Sequence, residues 1–295
     1  MLRTVRAAPK LLGEMTDPVI EFLSRQVNDD GGFRDRAGKS DLYYTVFGLG
    51  ALIALEPDRP HRSTAQFVSR FDQPQGMDFV HLTCLARCWA DLSDSQIDPN
   101  VCENIVNRLE KFRSLDGGYS QSMGSLHGSS YACFLALSAY QDMDREAPDQ
   151  QGLLHCLESL YAGGGSYANE YGCSAATTPA TSAAAIVRHH LGELPNASTV
   201  VKWLLTQHDS KGGFRAAPGV PLPDLLSTAT ALHALNVIGA RLEYLREPCL
   251  DFVKSLRSKT GGFCGHWVDE TADCEYTYYG LLALGSLAQQ DDDGC

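Results

Sequence analysis

Residues 26–55 read QVNDDGGFRDRAGKSDLYYTVFGLGALIAL, and the order of features in this stretch decides the fold. A polar lead-in reaches Gly31-Gly32-Phe33, a short charged loop follows, and Asp41 opens an apolar run rich in small residues. The Gly-Gly-aromatic unit recurs at Gly117-Gly118-Tyr119, Gly212-Gly213-Phe214 and Gly261-Gly262-Phe263. A looser copy stands at Gly163-Gly164-Gly165-Ser166-Tyr167, and Gln75-Gly76-Met77 falls near the middle of the one double-length gap. The spacing is about 48 residues, a period that marks a stack or ring of identical supersecondary units.

Each copy is preceded by an amphipathic segment, such as 201–207 (VKWLLTQ), and followed by one that is apolar on most faces, such as 227–235 (STATALHAL). The first pattern suits an outer helix with one buried stripe, the second a helix buried all round. Glycine pairs stop the first helix and allow a close-packed turn into the second. Six such hairpins start near Asp17, His61, Asn100, Gln150, Ala197 and Glu247, with Pro18, Pro60, Pro99, Pro148, Pro195 and Pro248 close to each start, where proline suits a first helical turn. They could stack as an open solenoid or close on themselves. Neither terminal hairpin is polar enough to cap an open stack, so the expected fold is all-α, a closed α/α toroid of six helical hairpins. It occupies 17–290 as a single domain, between a flexible N-terminal tail at 1–16 and an acidic tail at 291–295.

Composition narrows the partners. Net charge is −12 and the sequence pI near 5.1, which argues against a nucleic-acid binder, since phosphate attraction needs positive charge. Ten cysteines, at 84, 88, 102, 133, 156, 173, 249, 264, 274 and 295, lie mostly inside apolar helical runs and read as reduced, small core residues. Residues 1–15 carry Arg3, Arg6 and Lys10 but neither the apolar core nor the cleavage site of a signal peptide. No apolar run approaches the roughly 18 residues of a spanning helix, and the cytoplasm is the expected location.

The segments 26–55, 207–235 and 255–284 share the form Gln or Ser, Gly-Gly-Phe, a short loop, then Asp-x-x-x-Thr and an apolar helix. This form resembles the β subunits of protein prenyltransferases and, more distantly, the squalene and terpene cyclases. The resemblance implies a toroid whose apolar central cavity holds an isoprenoid chain, with a basic cluster at its mouth for a diphosphate. In the protein prenyltransferases it also implies a helical α-subunit partner and a zinc held by Asp, Cys and His, which ionises an acceptor thiol.

The residues depart from that pattern in the fifth hairpin, its usual place. Asp224 is present, but Leu226 stands at the cysteine position, Ala217 and Val220 stand where Arg and Lys are expected, and Tyr276 replaces the histidine three residues after Asp273. The first two hairpins match better: Arg36, Lys39, Asp41 and Tyr44 follow in family order, and His81 lies three residues after Asp78. Arg36, Lys39 and Tyr44 are therefore the candidate diphosphate site, and Asp41 with His81 the candidate metal ligands. Tyr43 takes the cysteine position, with Cys84 one turn beyond His81 as a possible substitute. Two ligands do not make a zinc site.

Cys264, His266 and Cys274 lack the spacing of a structural zinc site. His127 could face the cavity or serve its own helix. His189-His190 suits a helix C-terminus. Tyr43, Tyr44, Phe47, Tyr131, Tyr276, Tyr278 and Tyr279 could line a cavity or pack a core. Asp291-Asp292-Asp293 lacks the Asp-x-Asp-Asp form of a protonating cyclase, and Cys295 does not sit in a prenylation box. The expected function is that of an isoprenoid-diphosphate-binding, prenyltransferase-like protein. A zinc-independent terpene cyclase-like enzyme and a non-catalytic toroid binding a lipid or protein are the alternatives.

Overall fold

A computed structural model describes residues 1–92 and 97–289. Among these, two short helices, α1 (Leu2–Val5) and α2 (Pro9–Leu12), precede twelve that alternate between an outer and an inner layer. The hairpins pair α3 (Thr16–Ser24) with α4 (Leu42–Leu55), α5 (Arg62–Val68) with α6 (Phe79–Leu92), and α7 (Pro99–Leu109) with α8 (Ser130–Asp142). The last three pair α9 (Gln150–Ser159) with α10 (Thr178–His190), α11 (Ala197–Thr206) with α12 (Leu225–Val237), and α13 (Arg246–Ser255) with α14 (Cys274–Gln289). Each inner helix packs on the next, and α14 packs on α4, so the ring is closed. No helix among the described residues is long and apolar enough to cross a membrane.

The repeated motif has a local physical explanation. Asp41, Asp224 and Asp273 accept backbone N–H bonds from the first turn of α4, α12 and α14, satisfying donors that a helix start leaves free. Four residues on, a threonine hydroxyl accepts the N–H of the aromatic that follows each glycine pair. The distances are 3.0 Å for Thr45 with Phe33, 2.9 Å for Thr228 with Phe214 and 3.1 Å for Thr277 with Phe263. Thr181 does the same for Tyr167 at 3.0 Å. A buried amide and a helix cap are thus satisfied by one Asp-x-x-x-Thr segment.

The first glycine of each copy serves the joint between units. A Cβ on Gly31 would collide with the backbone of Ser63 at the start of α5, and one on Gly212 with Pro248 in α13. Gly261 sits in the same way on Pro18 of α3, so the sixth unit locks onto the first. All three have positive φ, between 89° and 104°, which glycine adopts without strain. In the second hairpin a Cβ on Gly76 would meet nothing within 4 Å, and the unit lacks the tight joint.

One expectation needs correction. The segment 1–16 is not a flexible tail: Val5, Ala8 and Leu12 are buried, α1 packs on α14 and α4, and Gly285 leaves room for the backbone of Thr4. Apolar burial of these side chains holds it against the ring. The loops of the fourth and fifth hairpins also contain short antiparallel ribbons, Tyr161–Gly163 with Ser166–Tyr167 and Phe214–Arg215 with Pro223–Asp224. They are tied-down loop ends too short to alter the helical class. The acidic run 291–295 and Cys295 lie outside the described residues.

Gly261→Ala should destabilise the fold by at least ~2 kcal/mol more than Gly38→Ala, since both have positive φ but only Gly261 meets a neighbouring backbone. Urea melts of the two variants check this. Equal losses would mean that the joint carries none of the stability.

Candidate functional site

The inner helices enclose an aromatic cavity with two lobes, of about 370 Å³ and 110 Å³, that share Met1, Tyr43, Tyr131, Phe134 and Tyr279 in their walls. Position along each helix gives depth, because an α-helix advances 1.5 Å per residue. Tyr43, Tyr131 and Glu275 stand in the first turns, near the capped face. Phe47, Phe134, Tyr278 and Tyr279 form a belt about one turn deeper, with Phe47 5.0 Å from Tyr43 and 5.5 Å from Tyr279 between ring centroids. Near the far ends of α6 and α8, roughly 18 Å from the capped face, the smaller lobe meets Asp91 and Asp142, with Arg87 about one turn nearer.

The charged groups of this cavity are half-buried. Tyr43 donates to Glu275 at 2.7 Å, and burial raises the Glu275 carboxyl above the usual carboxylate range. Arg87 Nε donates to Asp142 at 2.8 Å. Asp91 is pushed up to about 6 by burial, against the opposing pull of Arg87. In the larger lobe, Ser182 Oγ and His233 Nδ1 are buried with no protein partner, and burial drops His233 to about 3, so its imidazole is neutral.

The aromatic set divides. Tyr43, Phe47, Tyr131, Tyr278 and Tyr279 line the cavity, whereas Tyr276 lies under the Arg36 guanidinium, 5.6 Å from ring centroid to cation, outside it. Tyr44 meets Tyr43 edge-on, at 5.6 Å.

Of the expected diphosphate site, Arg36 is already engaged. Its guanidinium donates to Asp273 at 2.8 Å and to Asp269 at 2.9 Å, across the joint between the sixth and first hairpins. Lys39 is exposed, and its backbone N–H bonds Asp35 at 2.8 Å. The joint has counterparts elsewhere on the ring. The first residue of α8, α10 and α12 donates to the loop of the following unit, at Asn169, Ala216 and Gly265.

Asp41 and His81 do come together, 3.2 Å apart, across the first and second hairpins. The other ring nitrogen of His81 lies 2.7 Å from Asp78. The hydrogen bond with Asp41, followed by that with Asp78, raises His81 to about 9 and makes it an imidazolium, with the Asp41 carboxyl lowered by the same bond. A zinc of the kind implied by the resemblance does not fit these donors. Both imidazole nitrogens face carboxylates, Cys84 faces the cavity wall with burial raising its thiol, and Leu226 replaces the thiolate of the usual site. Among the described residues no three His, Cys, Asp or Glu side chains are arranged to hold a metal.

The remaining candidates are accounted for locally. His266 Nδ1 accepts the N–H groups of Val268 and Asp269, both at 3.1 Å, and Cys264 and Cys274 are buried. His127 stacks on Tyr171 at 3.8 Å in a polar rim groove. His190 pairs with Gln141 at the end of α10. Asp91, Glu275, Ser182 and His233 carried no motif in the sequence. Their only signal was a polar side chain inside a run that should be buried all round.

Comparison with known proteins agrees with the geometry. A variant of the type II terpene cyclase MstE from Scytonema, in complex with geranylgeranyl dihydroxybenzoate, superposes with a TM-score of 0.68 at 12% identity, covering 97% of this chain and 99% of that one. Protein geranylgeranyltransferase-I of Candida albicans complexed with GGPP also gives 0.68, at 14% identity over 92% and 90% of the two chains. The α-1,6-mannanase GH76A of Salegentibacter sp. HEL1_6 gives 0.67, at 13% identity over 94% and 99%. At such identities these likenesses show the fold alone. No curated protein matches the chain closely enough to count as a relative. The model of the prenyltransferase alpha-alpha toroid domain matches residues 7–69, 63–198 and 180–293, and the chain belongs to that family.

Proposed function

We propose that this protein is a prenyltransferase-like, isoprenoid-binding toroid that takes a prenyl chain into its aromatic cavity and a polar head at the rim. The observation that carries this reading is the cavity itself. Its larger lobe, about 370 Å³, falls in the range of roughly 300–1,000 Å³ typical of small-molecule sites, and it is walled by aromatic and aliphatic side chains. Two structural neighbours are complexes with geranylgeranyl compounds, which supports the same ligand class. A diphosphate head at Arg36, Lys39 and Tyr44 requires Arg36 to exchange Asp269 and Asp273 for phosphate oxygens, so the chain supplies most of the affinity.

A second reading rests on Asp91. A carboxylic acid with a pKa of about 6, at the far end of an aromatic cavity, is suited to donate its proton to an alkene carbon, leaving a carboxylate stabilised by Arg87 and a carbocation facing aromatic rings. That is zinc-independent, cyclase-like chemistry.

Geranylgeranyl diphosphate titrations separate the head-group question from the chain. Arg36→Ala should weaken diphosphate binding roughly ten- to a hundredfold and Asp269→Asn should strengthen it, with geranylgeraniol indifferent to both. Identical diphosphate affinities in all three proteins would remove the diphosphate site and leave chain binding. If Asp91 is a general acid, turnover of a prenyl substrate should fall tenfold per pH unit above about 6 and disappear in Asp91→Asn. A rate that persists in that variant excludes the role. Purified protein is expected to hold less than one tightly bound zinc per chain. Stoichiometric zinc lost in His81→Ala would restore thiol transfer.

A further inference from the structure

In the larger lobe, Ser182 and His233 are polar groups that neither the capping motif nor the ring joints explain. Ser182 stands in the second turn of α10 and His233 in the third turn of α12, on adjacent inner helices, and both line the larger lobe. Their relative exposures are 1% and 7%, and Ser182 Oγ and His233 Nδ1 have no protein partner. The neighbouring wall is apolar, formed by Ala183, Ile186 and Leu282. On the same wall Thr230 donates its hydroxyl to Leu226 O at 2.8 Å, so a helical hydroxyl here can be satisfied by its own backbone and Ser182 is not.

A buried polar atom without a bond is costly, and two in one apolar chamber mark a place where a ligand atom completes them. Ser182 can donate or accept, and a neutral imidazole presents one donor and one acceptor. A hydroxyl or carbonyl oxygen can match either group, whereas a hydrocarbon matches neither. Counting from the helix starts, the two side chains lie roughly 6 and 12 Å below the capped face, well inside the space that a prenyl chain would fill.

We infer that the cavity is built for an isoprenoid that carries an oxygen function within its chain, hydrogen-bonded by Ser182 or by His233 according to its depth, and not for an unsubstituted prenyl tail. The inference rests on the isoprenoid reading of the same cavity. It makes these two residues determinants of specificity, because a site with paired polar groups rejects an analogue lacking the partner atom far more strongly than an apolar wall rejects an added one.

The test compares geranylgeraniol with analogues bearing one further hydroxyl on successive isoprene units. Wild-type protein should bind one hydroxylated member roughly tenfold more tightly than the plain alcohol, and Ser182→Ala or His233→Phe should abolish that preference while leaving plain geranylgeraniol unaffected or tighter. Ser182→Ala should also leave the thermal stability of the free protein unchanged or higher, which a structural hydroxyl would not. Should His233→Phe fail to fold, the ring-nitrogen NMR shift of His233 should move with the hydroxylated alcohol and not with the plain one. Plain alcohol binding as tightly as every hydroxylated member, or a preference that survives both substitutions, overturns the inference and leaves the isoprenoid reading standing. Binding of no alcohol at all overturns both.

Discussion

The structure depends on the contact between one glycine and the next unit's backbone. Gly31, Gly212 and Gly261 let the loop of each hairpin rest directly on the outer helix of the following one, with no side chain between. Backbone approach of this kind fixes the rotation from unit to unit, because a Cβ would force the units apart and even small overpacking is felt in a dense core. The contact of Gly261 with Pro18 is the same joint applied between the last unit and the first. A ring follows when the per-unit rotation closes after six repeats. The third unit keeps the joint by pairing glycines, Gly117 against Gly152, and the second unit, where a Cβ on Gly76 would meet no neighbour, has a groove of about 400 Å³ beside His81.

Closure has a consequence for chemistry. Six inner helices converge with their capped starts on one face, and their small side chains leave a lumen that larger residues line only in part. Alanines and serines pack helix on helix, as Ala183, Ala184 and Ala185 do in α10, while tyrosines and phenylalanines from α4, α8 and α14 fill one side of the lumen. The short helices α1 and α2 then pack on α14, and Met1 reaches both lobes. The cavity is therefore asymmetric, aromatic toward one wall and aliphatic toward the other. Arg87, Asp91 and Asp142 gather toward its far end, and Glu275 stands near the capped face.

The toroid was legible in the sequence because its determinants repeat. A glycine pair every 48 residues or so, an aspartate cap and a threonine four residues later each leave a trace at fixed spacing, and each has a structural task. The site was legible only in part for the same reason. Arg36 and His81 stood out by matching a family order of residue types, yet both are spent on joints, Arg36 on Asp269 and Asp273 and His81 on Asp41 and Asp78. Asp91, Ser182, His233 and Glu275 occur once each, in helices whose starts give no hint of rotation about the axis. Reading them required knowing which face of α6, α10, α12 and α14 meets the lumen. The N-terminal segment was misread because its apolar residues, Val5, Ala8 and Leu12, are too few to show a helical period by themselves.

Charge at the rim determines where binding energy can come from. The aspartates that cap α4, α12 and α14 occupy the same helix N-termini that would otherwise attract a phosphate, and Asp269 and Asp273 already neutralise Arg36. For a diphosphate head arriving there Arg36 trades carboxylate partners for phosphate oxygens, and the gain is the difference between two similar charge-assisted bonds. Burial of a prenyl chain involves no such exchange: each methylene removed from water contributes about 0.8 kcal/mol, so a few isoprene units outweigh any net gain at the rim. Apolar burial discriminates poorly between chains of one length, however, since it is non-directional. Selectivity in such a cavity falls to the directional groups set into its wall, and in the larger lobe those without a protein partner are Ser182 and His233.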